Sequence, residues 1–352
     1  MRSVHDSAVP PAAPAEAIEG PNVSVVIPCY KVREHVLAVI VRIPERVSRI
    51  YVVDDCCPEG TGQYVQTHCQ DPRVQRVIFH EHNKGVGGAM ISGYRAALAE
   101  GATVIAKIDG DGQMDPRLLD RFIDPILSGK ADYAKGNRFF DLELVASMPR
   151  ARLFGNSVLS LINKFVSGYW NIMDPSNGYT AIHAAALRHI PLEKVDQRYF
   201  FESDMLVRLN IARAVVMDIP MEARYAGEPS SLNIAKVTLT FPGKYVQRFV
   251  KRIFFNYFLR DFNIGTVELV MGILLILAGV GFGIIRWYMS IESLIPATSG
   301  QVMLSALPIL LGFQLLISAL AFDIGHVPTV PLHVLLSPLR FRGFGTGGRI
   351  DP

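Results

Sequence analysis

Two long apolar runs near the C-terminus constrain the fold more than any other feature of this chain. Residues 266–289 carry only Glu268 and Arg286 as charges, and residues 302–322 carry none. Each run has roughly the 20 residues that are needed to cross about 30 Å of hydrocarbon. Half of the chain is hydrophobic, and the mean hydropathy is +0.26. The runs predict two transmembrane helices, with a pair of buried core helices as the alternative.

The distribution of basic residues predicts the orientation of these two spans. Lysines and arginines flank the runs on their outer sides, whereas the connecting loop at 290–301 has none. The flanking residues are Lys244, Arg248, Lys251, Arg252 and Arg260 before the first run and Arg340, Arg342 and Arg349 after the second. Because cytoplasmic flanks are enriched in Lys and Arg, both termini are expected in the cytoplasm.

The segment that leads into the first run has the pattern of amphipathic helices. Between 235 and 262, aromatic and aliphatic residues mix with basic ones, and Lys244, Arg248 and Arg252 recur every four residues. A basic face opposite an apolar one suits a helix that lies in the membrane interface and is attracted by anionic headgroups. Pro242 and Gly243 are expected to divide the segment into two helices.

Upstream of this segment, short apolar runs alternate with helical patterns. Strands are predicted at 23–27, 50–53, 76–79, 103–106 and 214–219, and helices at 32–43, 86–100, 151–166 and 200–212. This alternation predicts an α/β domain with a Rossmann-like, mostly parallel sheet and flanking helices. Ligands of such sheets bind beyond the carboxyl ends of the strands.

The remaining segments complete the expected domain organisation. Residues 1–21 are rich in Ala and Pro and lack the pattern of a signal peptide, so we expect them to be disordered. The α/β domain is expected over 22–234, juxtamembrane helices over 235–262, the spans over 263–325 and a cytoplasmic tail over 326–352. A formal net charge of +3 gives no argument for nucleic acid, and four cysteines without a C-x-x-C pair favour reduced thiols.

An acidic turn follows the strand predicted at 103–106. Asp109-Gly-Asp111-Gly-Gln113 places two carboxylates one residue apart and adds a neutral amide oxygen. Such a set suits Mg²⁺, which prefers a few carboxylates, waters and substrate phosphates. An EF-hand is excluded because its sixth position requires glycine, where this chain has Met114. A polar turn that holds no metal is the alternative.

Two further loops at strand ends are candidates for nucleotide contacts. Asp54 and Asp55 end the second strand, where a carboxylate can hold base or ribose hydroxyls or can instead cap the next helix. Lys84 belongs to a glycine-rich turn before a helix, but Met90 occupies the last glycine position of a dinucleotide fingerprint. Close packing of that helix is the alternative for this turn.

Three arginines are candidates for phosphate contacts, because the forked guanidinium matches phosphate oxygens. They are Arg138, Arg152 and Arg224. A structural or surface role is the alternative for each. Further acidic clusters lie at Asp174 and at 202–204 in polar contexts.

In combination these motifs resemble glycosyltransferase family 2, and in particular its polyprenyl-phosphate branch, which is similar to dolichol-phosphate mannosyltransferases. The resemblance covers about residues 22–330 and implies a GT-A fold. Its landmarks are Val25–Tyr30, Val53–Asp55 with Gly60 and Thr61, Asn83–Gly85, Asp109–Gln113, Gly136–Arg138, Asp174 with Asn177–Tyr179, and Glu202–Asp204. The stretch 224–231 resembles the late acceptor loop of the family.

The resemblance also implies the roles of individual residues. Those that would contact the nucleotide-sugar are Pro28, Tyr30, Asp55, Lys84, Asp109 and Asp111. Those that would receive the acceptor phosphate are Arg138, Arg152, Arg224 and Ser230. Asp109, Asp111 and Gln113 would hold Mg²⁺ or Mn²⁺. Asp111, Asp174 and Arg138 would be catalytic, with Asp174 as a base or as the group that positions the acceptor.

The implied activity is inverting transfer of a sugar from a nucleotide-sugar to undecaprenyl or dolichyl phosphate at the cytoplasmic membrane face, for cell-envelope glycan or glycoconjugate synthesis. The chain departs from the family pattern at 29–31, 56–57, Asn177 and 228–229, which leaves the donor sugar open. A non-lipid glycan acceptor, a processive synthase and a non-catalytic membrane scaffold are the alternatives. Small residues in the spans permit a homo-oligomer without requiring one.

Overall fold

The structure is a computed structural model that describes residues 20–140, 150–222 and 234–337, except for the side chains of residues 150–152 and 234–239. Nearly all of the segment 1–21, expected to be disordered, lies outside the described residues. The same holds for most of the expected tail, 326–352.

Seven strands form one sheet in the described part of the chain. They are β1 (Val23–Cys29), β2 (Arg49–Asp54), β3 (Val74–Phe79), β4 (Val104–Lys107), β5 (Tyr133–Asn137), β6 (Thr180–His183) and β7 (Val216–Pro220). Their order is β3-β2-β1-β4-β6-β5-β7. Only β6 runs antiparallel to its neighbours, β4 and β5, and the other pairs are parallel. The predicted α/β fold with a mostly parallel sheet is therefore confirmed.

Helices lie around this sheet, some packed on its strands and others on neighbouring helices. They are α1 (Val36–Val41), α2 (Thr61–His68), α3 (Val86–Ala99), α4 (Leu119–Leu127), α5 (Arg150–Ser167), α6 (Ala184–Arg188) and α7 (Phe201–Ile211). In α4 the residues Leu119, Phe122, Ile123 and Ile126 are fully buried. Their spacing of three and four residues places them on one side of the helix, which explains how α4 covers the sheet.

The C-terminal part contains a long helix and a helical hairpin. Helix α8 (Ile234–Ile253) continues into a π-helical segment, Phe254–Arg260, and is followed by α9 (Ile264–Ser293), α10 (Ser299–Gly325) and the short α11 (Leu332–Leu335). Helices α9 and α10 are long and apolar enough to cross a membrane, and 11% of the most apolar window of each is buried inside the protein. Core helices are mostly buried, so the alternative of a buried pair does not fit.

Three details differ from the sequence-based expectations. Strands β5 and β6 were not predicted, because they are short and carry Lys135, Asn137 and Thr180 among few aliphatic residues. Helix α1 is shorter than the predicted 32–43. The prediction that Pro242 divides the juxtamembrane segment is wrong, because α8 runs through it. A proline inside a helix costs about 3 kcal/mol, which the packing of the residues around Pro242 must offset.

The basic stripe of α8 also faces a different way than expected. Lys244 pairs with Asp196, Arg248 Nε lies 2.6 Å from Asp204 Oδ1, and Arg252 pairs with Asp323. These three side chains therefore point into the protein, and the prediction that they form a free face for headgroups is wrong. The exposed residues of α8 include the apolar Val246 and Val250 as well as the polar Gln247.

The ion pair of Arg252 and Asp323 joins the α/β domain to the hairpin. Arg252 is 2% exposed and donates from Nη1 to Asp323 Oδ1 over 2.6 Å and from Nη2 to Asp323 Oδ2 over 3.2 Å. Asp323, on α10, also accepts hydrogen bonds from Trp170 Nε1 and the Tyr257 hydroxyl. The remaining donors of Arg252 bind the carbonyl oxygens of residues 165 and 166, at the end of α5. Four segments thus meet at one carboxylate–guanidinium pair.

We predict that Arg252→Met lowers the free energy of unfolding by about 3 kcal/mol, because it leaves Asp323 without its cation in a mostly buried place. Thermal unfolding of the purified chain in detergent measures the change. Lys251→Met is the matched control, since Lys251 forms no ion pair among the described residues and its ammonium lies 5.9 Å from the centroid of the Phe255 ring. Equal losses in the two variants would contradict a special role for the Arg252–Asp323 pair.

Candidate active site

The sheet brings several predicted residues to one edge. Because β1 and β4 are parallel neighbours, Pro28 and Tyr30 at the end of β1 lie beside Asp109 and Asp111 after β4. The antiparallel β6 begins at this same edge, so the turn that precedes it also reaches this place. The edge therefore collects side chains that are far apart in the sequence.

A cavity of about 440 Å³ opens at this edge. Four residues predicted to contact a nucleotide-sugar line it, namely Pro28, Tyr30, Asp109 and Asp111. Its other lining residues are Val32, Val86, Lys107, Gly110, Leu159, Ser176, Gly178, Tyr199, Glu202, Ser203, Phe241 and Tyr245. The cavity thus combines an acidic floor, formed by Asp109, Asp111 and Glu202, with a wall of aromatic and aliphatic side chains.

A buried lysine lies under the acidic floor. Lys107 is 1% exposed, and its Nζ lies 2.9 Å from Asp109 Oδ1 and 3.5 Å from Glu202 Oε1. Burial opposes the charge of the ammonium, but Asp109 and Glu202 outweigh it and raise the pKa of Lys107. A Cβ on Gly178 would lie 2.3 Å from Lys107 Nζ and 3.0 Å from Asp109 Oδ2, so a larger residue there would displace the Lys107 ammonium.

The two acids of this turn fit a divalent cation whose other ligands come from a substrate. Asp109 and Asp111 both present carboxylates to the cavity, whereas the Gln113 side chain does not line it and the Gln113 backbone N–H donates to Asp111 Oδ1. No group of three or more His, Cys, Asp or Glu residues suited to a metal occurs among the described residues. One or two carboxylates completed by phosphates and waters are the usual ligand set of Mg²⁺.

The second acidic pair, Asp54 and Asp55, holds the loops around the cavity through hydrogen bonds. Asp54 accepts hydrogen bonds from the backbone N–H groups of Cys57 and Gly62, so it caps the start of α2. Asp55 accepts from the N–H groups of Lys84 and Gly85 and binds His80 Nδ1. Neither Asp55 nor Lys84 lines the cavity, and Asp55 fixes the glycine-rich turn before α3. A role of both residues in nucleoside binding stays a prediction.

Arg138 and Asp174 form a bidentate ion pair beside the cavity. Arg138 Nε donates to Asp174 Oδ2 over 2.7 Å, and Nη2 donates to Asp174 Oδ1 over 3.0 Å. Asp174 is fully buried, and Ser176, which lines the cavity, also accepts from Arg138. The side chain of Arg152 and residues Arg224 and Ser230 lie outside the described part of the chain, so their acceptor roles stay predictions.

Several lining residues were not among the predicted site residues. Glu202 and Ser203 come from the first turn of α7, and Phe241 and Tyr245 come from α8. The acidic cluster at 202–204 was a usable signal for Glu202. Asp204, in contrast, is buried and pairs with arginines, so the sequence pattern alone does not separate the two acids.

An apolar groove of about 850 Å³ runs between α5 and α8 next to this cavity. Three of its lining residues, Leu159, Phe241 and Tyr245, also line the acidic cavity. The rest are Gly155, Val158, Leu161, Ile162, Phe165, Val166, Pro242, Val246 and Phe249. The two spaces therefore share a wall and lie side by side.

Comparisons with known proteins give one consistent result. Residues 24–191 match the model of Glycosyl transferase family 2. Over 205 residues the chain is 31% identical to the undecaprenyl-phosphate mannosyltransferase of Micrococcus luteus, a match that covers 57% of this chain and 82% of that protein. It is 30% identical over 201 residues to the polyprenol monophosphomannose synthase of Mycolicibacterium smegmatis, covering 56% of this chain and 75% of that one.

Two more distant matches complete the comparison. The chain is 31% identical over 148 residues to the UDP-N-acetylglucosamine–dolichyl-phosphate N-acetylglucosaminyltransferase of Methanococcus voltae, covering 42% of this chain and 59% of that protein. The glucosyl-3-phosphoglycerate synthase of Mycobacterium tuberculosis, solved with UDP, superposes with a TM-score of 0.47 at 16% identity, covering 66% of this chain and 80% of that one.

We predict that Gly178→Ala weakens the binding of Mn²⁺ by at least about tenfold, because the added methyl group displaces Lys107 and crowds Asp109. Electron paramagnetic resonance of Mn²⁺ added to the purified chain measures the affinity. Gly155→Ala is the control, since a Cβ at Gly155 has no neighbour within 4 Å. Unchanged Mn²⁺ affinity in Gly178→Ala would contradict an ion site at Asp109 and Asp111.

Proposed function

This chain belongs to glycosyltransferase family 2, and from that premise we propose that it transfers a sugar from a nucleotide-sugar to a polyprenyl phosphate. The transfer inverts the anomeric centre and takes place at the cytoplasmic membrane face. The product, a polyprenyl-phosphate sugar, feeds cell-envelope glycan or glycoconjugate synthesis. The names of the relatives in Micrococcus, Mycolicibacterium and Methanococcus support the lipid acceptor.

One structural observation carries this proposal: the acid-lined cavity and the apolar groove share a wall of Leu159, Phe241 and Tyr245. A polyprenyl phosphate has an anionic head and a long apolar tail. Its tail fits the groove between α5 and α8 while its head enters the cavity. The exposed apolar side chains of both helices, such as Phe154 and Val246, support contact of this face with the bilayer.

The donor binds at the carboxyl ends of β1 and β4. Pro28 and Tyr30 border the base, and Tyr30, which is 46% exposed, offers a ring face to it. Asp109 and Asp111 would hold Mg²⁺ or Mn²⁺, which when bound would neutralise charge that develops on the nucleoside diphosphate. Asp55 and Lys84 complete the nucleotide site in this proposal, and Asp55 holds the turn of Lys84 through the backbone N–H groups of Lys84 and Gly85.

The reaction needs little help from a general base. A phosphate monoester has its second pKa near 6, so the acceptor is largely dianionic at neutral pH. One of its oxygens attacks the anomeric carbon, the bond from that carbon to the diphosphate breaks, and the electron pair leaves with the nucleoside diphosphate. Catalysis then rests mainly on positioning and on electrostatic stabilisation.

Within this scheme Asp174 positions Arg138 for the acceptor. Both carboxylate oxygens of Asp174 accept hydrogen bonds from Arg138, which fixes the orientation of the guanidinium. A guanidinium in a fixed orientation matches the geometry of phosphate oxygens. Arg152, Arg224 and Ser230 complete the acceptor site in this proposal.

Asp111→Asn should lower the rate of sugar transfer by at least roughly 100-fold, because the leaving diphosphate loses part of its electrostatic stabilisation. The assay measures radiolabel from nucleotide-sugars in the lipid extract after incubation with undecaprenyl phosphate. Asp124→Asn is the control, since the Asp124 side chain is 63% exposed at a surface pair with Arg46. Full activity of Asp111→Asn would refute the metal assignment, and radiolabel in a water-soluble glycan would overturn the lipid acceptor.

Ile162→Asp should raise the KM for undecaprenyl phosphate by about tenfold or more, because a charge in the groove opposes burial of the polyprenyl tail. The KM for a two-isoprene acceptor, citronellyl phosphate, should change much less, since a short tail occupies little of the groove. Val41→Asp on α1, where Val41 is 76% exposed, is the control. Equal effects on the long and the short acceptor would argue against the groove as the tail site.

A further inference from the structure

A second polar cavity, of about 320 Å³, lies where the α/β domain meets the hairpin. Its walls come from the loop after α7, the π-helical segment and the last turn of α10. The charged lining residues are Arg213, Arg252, Arg260, Asp261 and Asp323. None of its lining residues belongs to the acidic cavity or to the apolar groove, so this is a separate space.

The arginines that line this cavity outnumber its acids by one. Arg252 and Asp323 neutralise each other, whereas Arg213 and Arg260 form no ion pair within the described part of the chain. Arg213 Nη1 donates to the carbonyl oxygen of His326 over 3.2 Å, and Arg260 Nη2 donates to that of Ile211. Burial lowers the pKa of the Arg260 guanidinium, and the positive charge of Arg213 lowers it further. Asp261 adds one acid to the wall, so three arginines face two acids.

Arg213 has a left-handed backbone conformation that is unusual for an arginine. Its φ is +62°, the left-handed region, and its N–H donates to the carbonyl oxygen of Asn210 as α7 ends. Glycine is the usual residue at such a helix end, and any other residue pays a cost of about 1 kcal/mol. Backbone stability alone therefore favours glycine, and the guanidinium that faces the cavity offers a reason for arginine.

We infer that this cavity binds the phosphate of an anionic membrane lipid, a lipid other than the substrate. The Asn263 cap of α9 and the end of α10 line it, so it lies at the ends of the spans where headgroups are found. Arginine forks match phosphate oxygens, and basic pockets beside transmembrane helices bind anionic headgroups. The inference depends on α9 and α10 spanning a bilayer and not on the transfer reaction.

Native mass spectrometry of the full chain in detergent tests this site. Dioleoylphosphatidylglycerol is titrated against the wild type and two variants, with dioleoylphosphatidylcholine and inorganic phosphate as separate arms. We expect one tightly held phosphatidylglycerol in the wild type and affinity that is weaker by about tenfold in Arg213→Gly and in Arg260→Gln, the loss expected for one charge-assisted contact. Phosphatidylcholine should show no such difference between wild type and variants.

The variants are chosen to separate loss of the site from loss of the fold. Arg213→Gly suits the left-handed backbone, so its thermal midpoint should equal or exceed that of the wild type. Arg286→Gln removes an arginine from the far end of α9 and should bind phosphatidylglycerol as the wild type does. Unchanged binding in Arg213→Gly and Arg260→Gln, or an equal loss in Arg286→Gln, would overturn the site. Inorganic phosphate that binds as tightly as phosphatidylglycerol would overturn the lipid as its source.

Discussion

The ion pair between Arg252 and Asp323 is the contact on which the arrangement of this protein most depends. The Arg252 guanidinium ties α8 to the end of α5 and to α10, and Trp170 joins them through the Asp323 carboxylate. A charge pair removed from water is stable only when its hydrogen bonds are complete, and here both partners have several. Gly168 allows this approach, since a Cβ there would lie 2.6 Å from Arg252 Nη1. The hairpin and the α/β domain are thereby held in one orientation.

That orientation matters because α5 and α8 have two faces. Their inner sides line the acidic cavity with Leu159, Phe241 and Tyr245, and their outer sides expose apolar residues. An enzyme whose acceptor is a membrane lipid must present its site at the height of the headgroup. In the proposed function, α5 and α8 meet that requirement because they line the site and also expose apolar side chains. The charge balance under the cavity, with Lys107 between Asp109 and Glu202, keeps the acidic floor in place.

Much of the fold could be predicted because its signals are local. The apolar runs of β1, β2 and α9 are long or β-branched enough to identify directly. Strands β5 and β6 could not be predicted, because they bury polar residues. One of these is Lys135 of β5, which donates to the carbonyl oxygen of Asn177. The basic stripe of α8 was assigned to headgroups, since the acids that neutralise it lie 44 to 71 residues away in the sequence. Long-range charge pairing leaves no local pattern.

The sequence by itself determined the family, the mostly parallel sheet, the two helices long and apolar enough to cross a membrane, and the acidic turn of Asp109 and Asp111. These follow from hydrophobic periodicity and from short motifs, which act over a few residues. Only the tertiary structure decided that Asp55 binds the loop of Lys84 and Gly85, that Asp174 holds Arg138, and that α8 turns its cations inward. A buried charged side chain needs an opposite charge or hydrogen bonds. The packing of distant segments decides which such partner lies within reach.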